Sequence, residues 1–138
     1  GGVCTCSSSG DCAGYDFGTL CKMGANRTCG CSNATHCTAS NQGTSCIGTV
    51  NRCGCTSNTL AGNTLSAQCT TSKLGLYCDI ANRSCGCSSN DLANGAQSTE
   101  CLGNTVGLSC ITANRRCGCN DNADCASNDC DTAKHVCK

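Results

Sequence analysis

Apolar residues are spread thinly along this chain, and they nowhere fall into the period of a core-forming helix or strand. No stretch keeps helical spacing over the roughly 11 residues that such a reading needs. Leu74 with Leu76, and Leu102 with Leu108, are fragments of apolar pattern only. No apolar run approaches the roughly 18–20 residues that span a bilayer. The polar positions carry more order. Ala25-Asn26-Arg27, Val50-Asn51-Arg52, Ala81-Asn82-Arg83 and Ala113-Asn114-Arg115 recur, with Ala133-Lys134-His135 in the same place at the end. Asn tolerates the left-handed conformation of tight turns, so each triplet predicts the tip of a short β-hairpin. Gly18, Gly43, Gly75 and Gly107 form a second series, which predicts positive φ or close backbone approach.

Both series are locked to the cysteines. C-x-C pairs stand at Cys4/Cys6, Cys29/Cys31, Cys53/Cys55, Cys85/Cys87 and Cys117/Cys119, with two further cysteines between successive pairs. From the second Cys of each pair the gaps are 5, 5, 13, 13 and 5 residues, then 8, 8, 8, 8 and 4, then 7, 6, 6, 6 and 6. This is a tandem repeat. Its units are residues 1–30 with an N-terminal extension, 31–54, 55–86, 87–118 and a short 119–138. Residues 56–68 and 88–100 carry one shared loop insertion, opening alike as Thr-Ser-Asn-Thr-Leu-Ala and Ser-Ser-Asn-Asp-Leu-Ala. The expected fold is small and disulfide-rich, mostly β-hairpins and loops, in a linear array of five four-cysteine modules. Each linker is the single residue inside C-x-C, so the row should be semi-rigid.

Composition explains why cysteine dominates. Of 138 residues 21 are Cys, while Leu, Ile, Val and Phe together number 16, with no Trp and no Pro. So few large side chains cannot fill a core for a chain of this length. Disorder usually comes with high net charge, and the net charge here is zero. Cross-links therefore replace the core, which implies an oxidising compartment and a secreted, extracellular protein. The chain begins at Gly1-Gly2-Val3 with no signal-type segment, and reads as a processed mature chain or a fragment.

Two cysteines in C-x-C are poorly placed to bond each other, so one closes a module and the other opens the next. Four cysteines allow three connectivities, which sequence does not separate. We favour first-to-third with second-to-fourth, because interlocked loops fix a small module best. That gives Cys6–Cys21, Cys12–Cys29, Cys31–Cys46, Cys37–Cys53, Cys55–Cys78, Cys69–Cys85, Cys87–Cys110, Cys101–Cys117, Cys119–Cys130 and Cys125–Cys137. Cys4 is left unpaired or intermolecular. A shifted register would leave Cys137 instead.

Other chemistry finds little support. Lys and Arg are scattered singly apart from Arg115-Arg116, and only Tyr15, Tyr77 and Phe17 are aromatic, so nucleic-acid binding is not expected. His36 and His135 belong to no nucleophile–base arrangement, and no catalytic residue is assigned. Thiolate–metal clusters are disfavoured, because the repeated Gly and Asn-Arg turns imply folded loops and the paired C-x-x-C of zinc modules is absent. Residues 120–124, near Asp129 and Asp131, lack the Gly and the bidentate Glu of an EF-hand loop. No metal or cofactor is expected. Asn26, Asn33 and Asn82 head N-x-S/T triplets and are candidate glycosylation sites.

In module size, hairpins and C-x-C spacing the chain resembles tandem EGF-like extracellular repeats. EGF modules have six cysteines and these have four, so the resemblance implies architecture only, an extracellular array. Three readings follow. The first is a structural subunit of an extracellular fibre, wall or coat that self-associates into a homopolymer. The second is a secreted inhibitor, toxin or receptor-type ectodomain that presents residues 56–68 and 88–100 to a partner. The third is a metal-thiolate store.

Overall fold

The computed structural model describes residues 6–22, 27–60, 62, 64–92 and 97–138. Cys4 and Asn26 lie outside them. Five antiparallel hairpins follow one another, one per module: β1 (Leu20–Lys22) with β2 (Thr28–Gly30), β3 (Ser45–Ile47) with β4 (Arg52–Gly54), β5 (Tyr77–Asp79) with β6 (Ser84–Gly86), β7 (Ser109–Ile111) with β8 (Arg116–Gly118), and β9 (Cys130–Asp131) with β10 (Val136–Cys137). The result is a linear array of five four-cysteine modules. Among the described residues no helix is long and apolar enough to cross a membrane.

Each module is organised by the register of its hairpin. The third and fourth cysteines stand directly opposite each other: Cys21 and Cys29, Cys46 and Cys53, Cys78 and Cys85, Cys110 and Cys117, Cys130 and Cys137. Opposed residues leave a sheet on the same face. The first and second cysteines meet them there. The third takes the first, in Cys6–Cys21, Cys31–Cys46, Cys55–Cys78, Cys87–Cys110 and Cys119–Cys130. The fourth takes the second, in Cys12–Cys29, Cys37–Cys53, Cys69–Cys85, Cys101–Cys117 and Cys125–Cys137. The two bridges of a module thus cross, and each closes a loop worth roughly 3 kcal/mol of chain entropy. Among the described residues eighteen of the twenty buried hydrophobic ones are cysteines, joined there only by Ile47 and Ile111. The core is therefore five separate disulfide clusters.

Short 3-10 turns bring the second cysteine to its partner. They span Ser9–Cys12, Ala34–Cys37, Ala67–Cys69, Thr99–Cys101 and Asn122–Asp124. No apolar periodicity announces them, because local polar caps make them. The side chains of Asn33, Ser66, Ser98 and Asp121 accept backbone N–H bonds from two residues on, at Thr35, Gln68, Glu100 and Ala123.

The hairpin tips need a correction. Among the described tips Asn is the left-handed residue only in module 2, where Asn51 has φ 51°. In modules 3 and 4 that conformation falls on Arg83 (φ 55°) and Arg115 (φ 56°), and in module 5 on His135 (φ 56°). The reason is loop length. These loops hold four residues between paired positions, such as Asp79 and Ser84. The left-handed residue is the last of the four, two places before the closing cysteine. The neighbouring asparagines cap instead. Asn82 donates from its backbone N–H and its Nδ2 to Asp79, and Asn114 Oδ1 accepts from the Arg116 N–H.

Candidate functional site

The groups with a repeated spatial role lie at the joints between modules. At each opposed cysteine pair the backbone polar groups point outward, away from the partner strand. Both flanks of the hairpin then need partners. On one flank modules 1, 3, 4 and 5 supply their own. Asn58 reaches back from its loop, accepting the Cys78 N–H at 2.7 Å and donating to the Cys78 carbonyl. Asn90 does the same for Cys110. Ser9 Oγ and Asn122 Oδ1 take the Cys21 and Cys130 N–H groups in modules 1 and 5. The loops at residues 56–68 and 88–100 are thus tied down by the asparagines they share.

On the other flank the partner is the preceding module. The Cys53 N–H donates to the Phe17 carbonyl, while the Thr19 N–H donates to the His36 carbonyl. Gln42 and Thr44 bond in the same way to Cys85 and Gln68, Leu74 and Leu76 to Cys117 and Glu100, and Val106 and Leu108 to Cys137 and Asp124. All eight bonds measure 2.8–3.1 Å. In every case the two residues flank one glycine of the series. Gly75 has φ 139°, and a Cβ there would stand 2.1 Å from the Gly86 carbonyl oxygen of its own module. Gly86, inside C-x-C, is pressed from the other side. A Cβ on it would lie 2.3 Å from the Arg115 carbonyl oxygen at the tip of the next hairpin. Only glycine at both places lets three backbones come together.

Side chains reinforce each joint. Ser40 Oγ donates to the Asp16 carbonyl, Ser72 Oγ to the Asn41 carbonyl at 2.6 Å, and Asn104 Nδ2 to the Lys73 carbonyl at 2.9 Å. The Arg52 guanidinium lies 4.9 Å over the Phe17 ring, a cation–π contact. Arg83 donates to Thr49, and Arg115 pairs with Asp79. Burial pushes the Asp79 carboxyl up. Hydrogen bonds from Asn82 and Arg115, with the Arg115 charge, outweigh it and hold the group below its ordinary value.

The residue before each second cysteine has a double task. In modules 2 to 5 its carbonyl accepts across the joint, and in its own module its side chain bonds back toward the first cysteine. Asp11 accepts from the Ser7 hydroxyl and from the Ser7 and Ser8 N–H groups, which hold its carboxyl down at about 2. Gln68 takes Thr56, Glu100 takes Ser88 and Ser89, and Asp124 takes Asn120 and Asp121. This explains how Glu100 and Asp124 are buried as acids. Sequence reading missed this position, since Asp, His, Gln, Glu and Asp show no residue pattern.

The candidate chemistry is used up by structure. Three cysteine sulfurs crowd within 4.8 Å in every module, but all belong to the crossed disulfides and hold no thiolate for a metal. Asp121 and Asp124 accept backbone N–H bonds, while Asp129 and Asp131 pair with Lys138 and Lys134. His36 Nδ1 faces Ser32 Oγ at 3.5 Å, and His135 Nδ1 lies 3.0 Å from the Cys119 carbonyl. Asn33 and Asn82 are both exposed.

Fold and joints define a class: a tandem array of disulfide-stapled, hairpin-bearing modules. Compared with protein-family models, curated proteins and solved structures, the chain has no match. What the structure shows is tandem small disulfide-rich modules with paired antiparallel hairpins, and no family match supports the EGF-like resemblance.

Two predictions test the joints. Gly86→Ala should loosen modules 3 and 4 from each other. Hydrogen exchange should quicken at the Cys117 amide and stay unchanged at Cys53; equal rates in parent and variant would contradict the packing. Asp79→Asn should cost about 1–3 kcal/mol at pH 7 in denaturant unfolding. The depressed carboxyl stabilises the fold above its unfolded value of 3.8, and this contribution fades as pH falls through the folded value. The gap between parent and variant should therefore narrow from pH 7 toward about pH 2.

Proposed function

We propose that this chain is a secreted structural repeat protein, a subunit of an extracellular fibre, wall or coat. The observation that carries the reading is the joint. Each of the four is closed by two reciprocal backbone hydrogen bonds about a glycine. An array so joined keeps its modules in fixed order and orientation, and its covalent cores survive outside the cell. Ten disulfides support an oxidising compartment for this reading. It needs no cofactor in this role and is not an enzyme. Its Ser88–Glu100 pair is part of module closure and its Ser109–Asp124 pair spans the joint between modules 4 and 5, while the two histidine rings contact Ser32 and the Cys119 carbonyl. Its partners are copies of itself. They meet along the flanks, where Val50 and Ile80 stand exposed on neighbouring hairpin tips, and neither nucleic acid nor membrane is involved.

One observation favours a binding protein as the second reading. Tyr15, Phe17 and Arg52 stack beside a groove lined by Ile47, Val50 and Arg83, and aromatic and Arg side chains are the usual hot-spot chemistry. One experiment separates the two. Purified chain concentrated under oxidising conditions should form assemblies whose mass grows with concentration, visible by light scattering and electron microscopy. A chain that stays monomeric throughout rejects the fibre reading and leaves the groove. A metal-thiolate store would require these disulfides to be reduced first.

N-linked glycan fits Asn33 better than Asn82. Asn33 stands exposed, with Oδ1 accepting the Thr35 N–H and hydroxyl. A glycan on Asn82 would displace its 2.7 Å bond from Nδ2 to Asp79. Peptide mass spectrometry of chain secreted from a glycosylating host should find Asn33 the more fully occupied; the reverse order would refute the assignment.

A further inference from the structure

The four joints show what seats on each module, and the matching seat on module 1 has no occupant among the described residues. In modules 2 to 5 the seat is the N–H of the fourth cysteine together with the carbonyl before the second: Cys53 and His36, Cys85 and Gln68, Cys117 and Glu100, Cys137 and Asp124. It receives a residue–glycine–residue segment from the module before. The equivalents on module 1 are the Cys29 N–H and the Asp11 carbonyl, and no such segment meets them among the described residues. Module 5 is the converse. It has a filled seat but no segment to offer. Its second and third cysteines are four residues apart, where the other modules have eight, and the shortened stretch has no glycine. The array thus has a direction, open at module 1 and closed at module 5.

We infer that module 1 is the docking site for a further four-cysteine module, with Cys4 as the fourth cysteine of that module. Two independent observations converge on it. One is the empty seat. The other is register, since Val3-Cys4-Thr5-Cys6 repeats the spacing of Thr28-Cys29-Gly30-Cys31 and Arg52-Cys53-Gly54-Cys55. The Cys6 N–H also bonds the Arg27 carbonyl as Cys31, Cys55, Cys87 and Cys119 bond their own hairpin tips. A second copy of this chain is the wrong occupant. Its glycine segments in modules 1 to 4 are already seated, and module 5 has none. One departure is Thr5, which stands where the other joints have glycine. It coincides with a tip loop in module 1 one residue longer than the rest, between Lys22 and Thr28.

The seat can be read in the chain as it stands. The Cys29 amide should exchange at least about tenfold faster than the amides of Cys53, Cys85, Cys117 and Cys137; equal protection overturns the proposal. The occupant is tested by extension. A second copy of residues 31–52 is placed directly before Cys4, with Thr5 kept in one chain and Thr5→Gly made in another. The expected product has two disulfides beyond the present ten. Its Cys4 no longer reacts with a thiol reagent, and its Cys29 amide is as slow as that of Cys53. If neither chain shows a protected Cys29 amide and a blocked Cys4, the inference is wrong. If the added module forms its disulfides while Cys29 stays fast, the seat takes no module.

Discussion

Everything in this molecule depends on two crossed disulfides per module. Each hairpin is at most three residues per strand, and an isolated two-stranded ribbon of that length does not hold in water. The opposed third and fourth cysteines put two side chains on one face. The first and second cysteines reach that face from a turn that polar caps shape. Once both bridges close, the sulfurs themselves are the interior, and almost nothing apolar is required around them. That is how a chain with one Phe and no Trp folds.

Between modules a different force takes over. The covalent linker is one residue, and the contact is a pair of backbone hydrogen bonds beside two glycines. Bonds of this kind contribute modestly one at a time. They are repeated at all four joints, and a buried donor or acceptor left unpaired would cost more than the bond gains. The same arithmetic explains the asparagines of the inserted loops. Asn58 and Asn90 satisfy the flank that no neighbour covers. What looks like decoration in the sequence closes an edge that would otherwise invite another strand.

The division of labour also explains which positions vary. The residue before the second cysteine is Asp11, His36, Gln68, Glu100 or Asp124. In modules 2 to 5 its joint contact runs through the carbonyl, which every residue has, so the side chain is free to serve its own module, and Asp124 also takes the Ser109 hydroxyl of module 4. The positions inside C-x-C at the four joints admit no such latitude, because there the space itself is occupied by the next hairpin's tip. A linear array with fixed joints and an unequal pair of ends suits the fibre, wall or coat role better than a reactive one.

Sequence alone determined the five-module array and its hairpins, because covalent spacing and turn residues are local properties written in chain order. It also marked Gly18, Gly43, Gly75 and Gly107 as special. It left open why. Tertiary structure decided that these glycines are the edge by which one module seats on the next, since that contact joins residues such as Leu74 and Cys117 that chain order holds far apart. It moved the left-handed tip from Asn82 and Asn114 to Arg83 and Arg115, because loop length and not residue preference sets that position. It also gave the buried acids their partners. A cysteine pattern says what is joined, but the shape of a joint depends on which backbone groups the folded hairpin leaves facing outward.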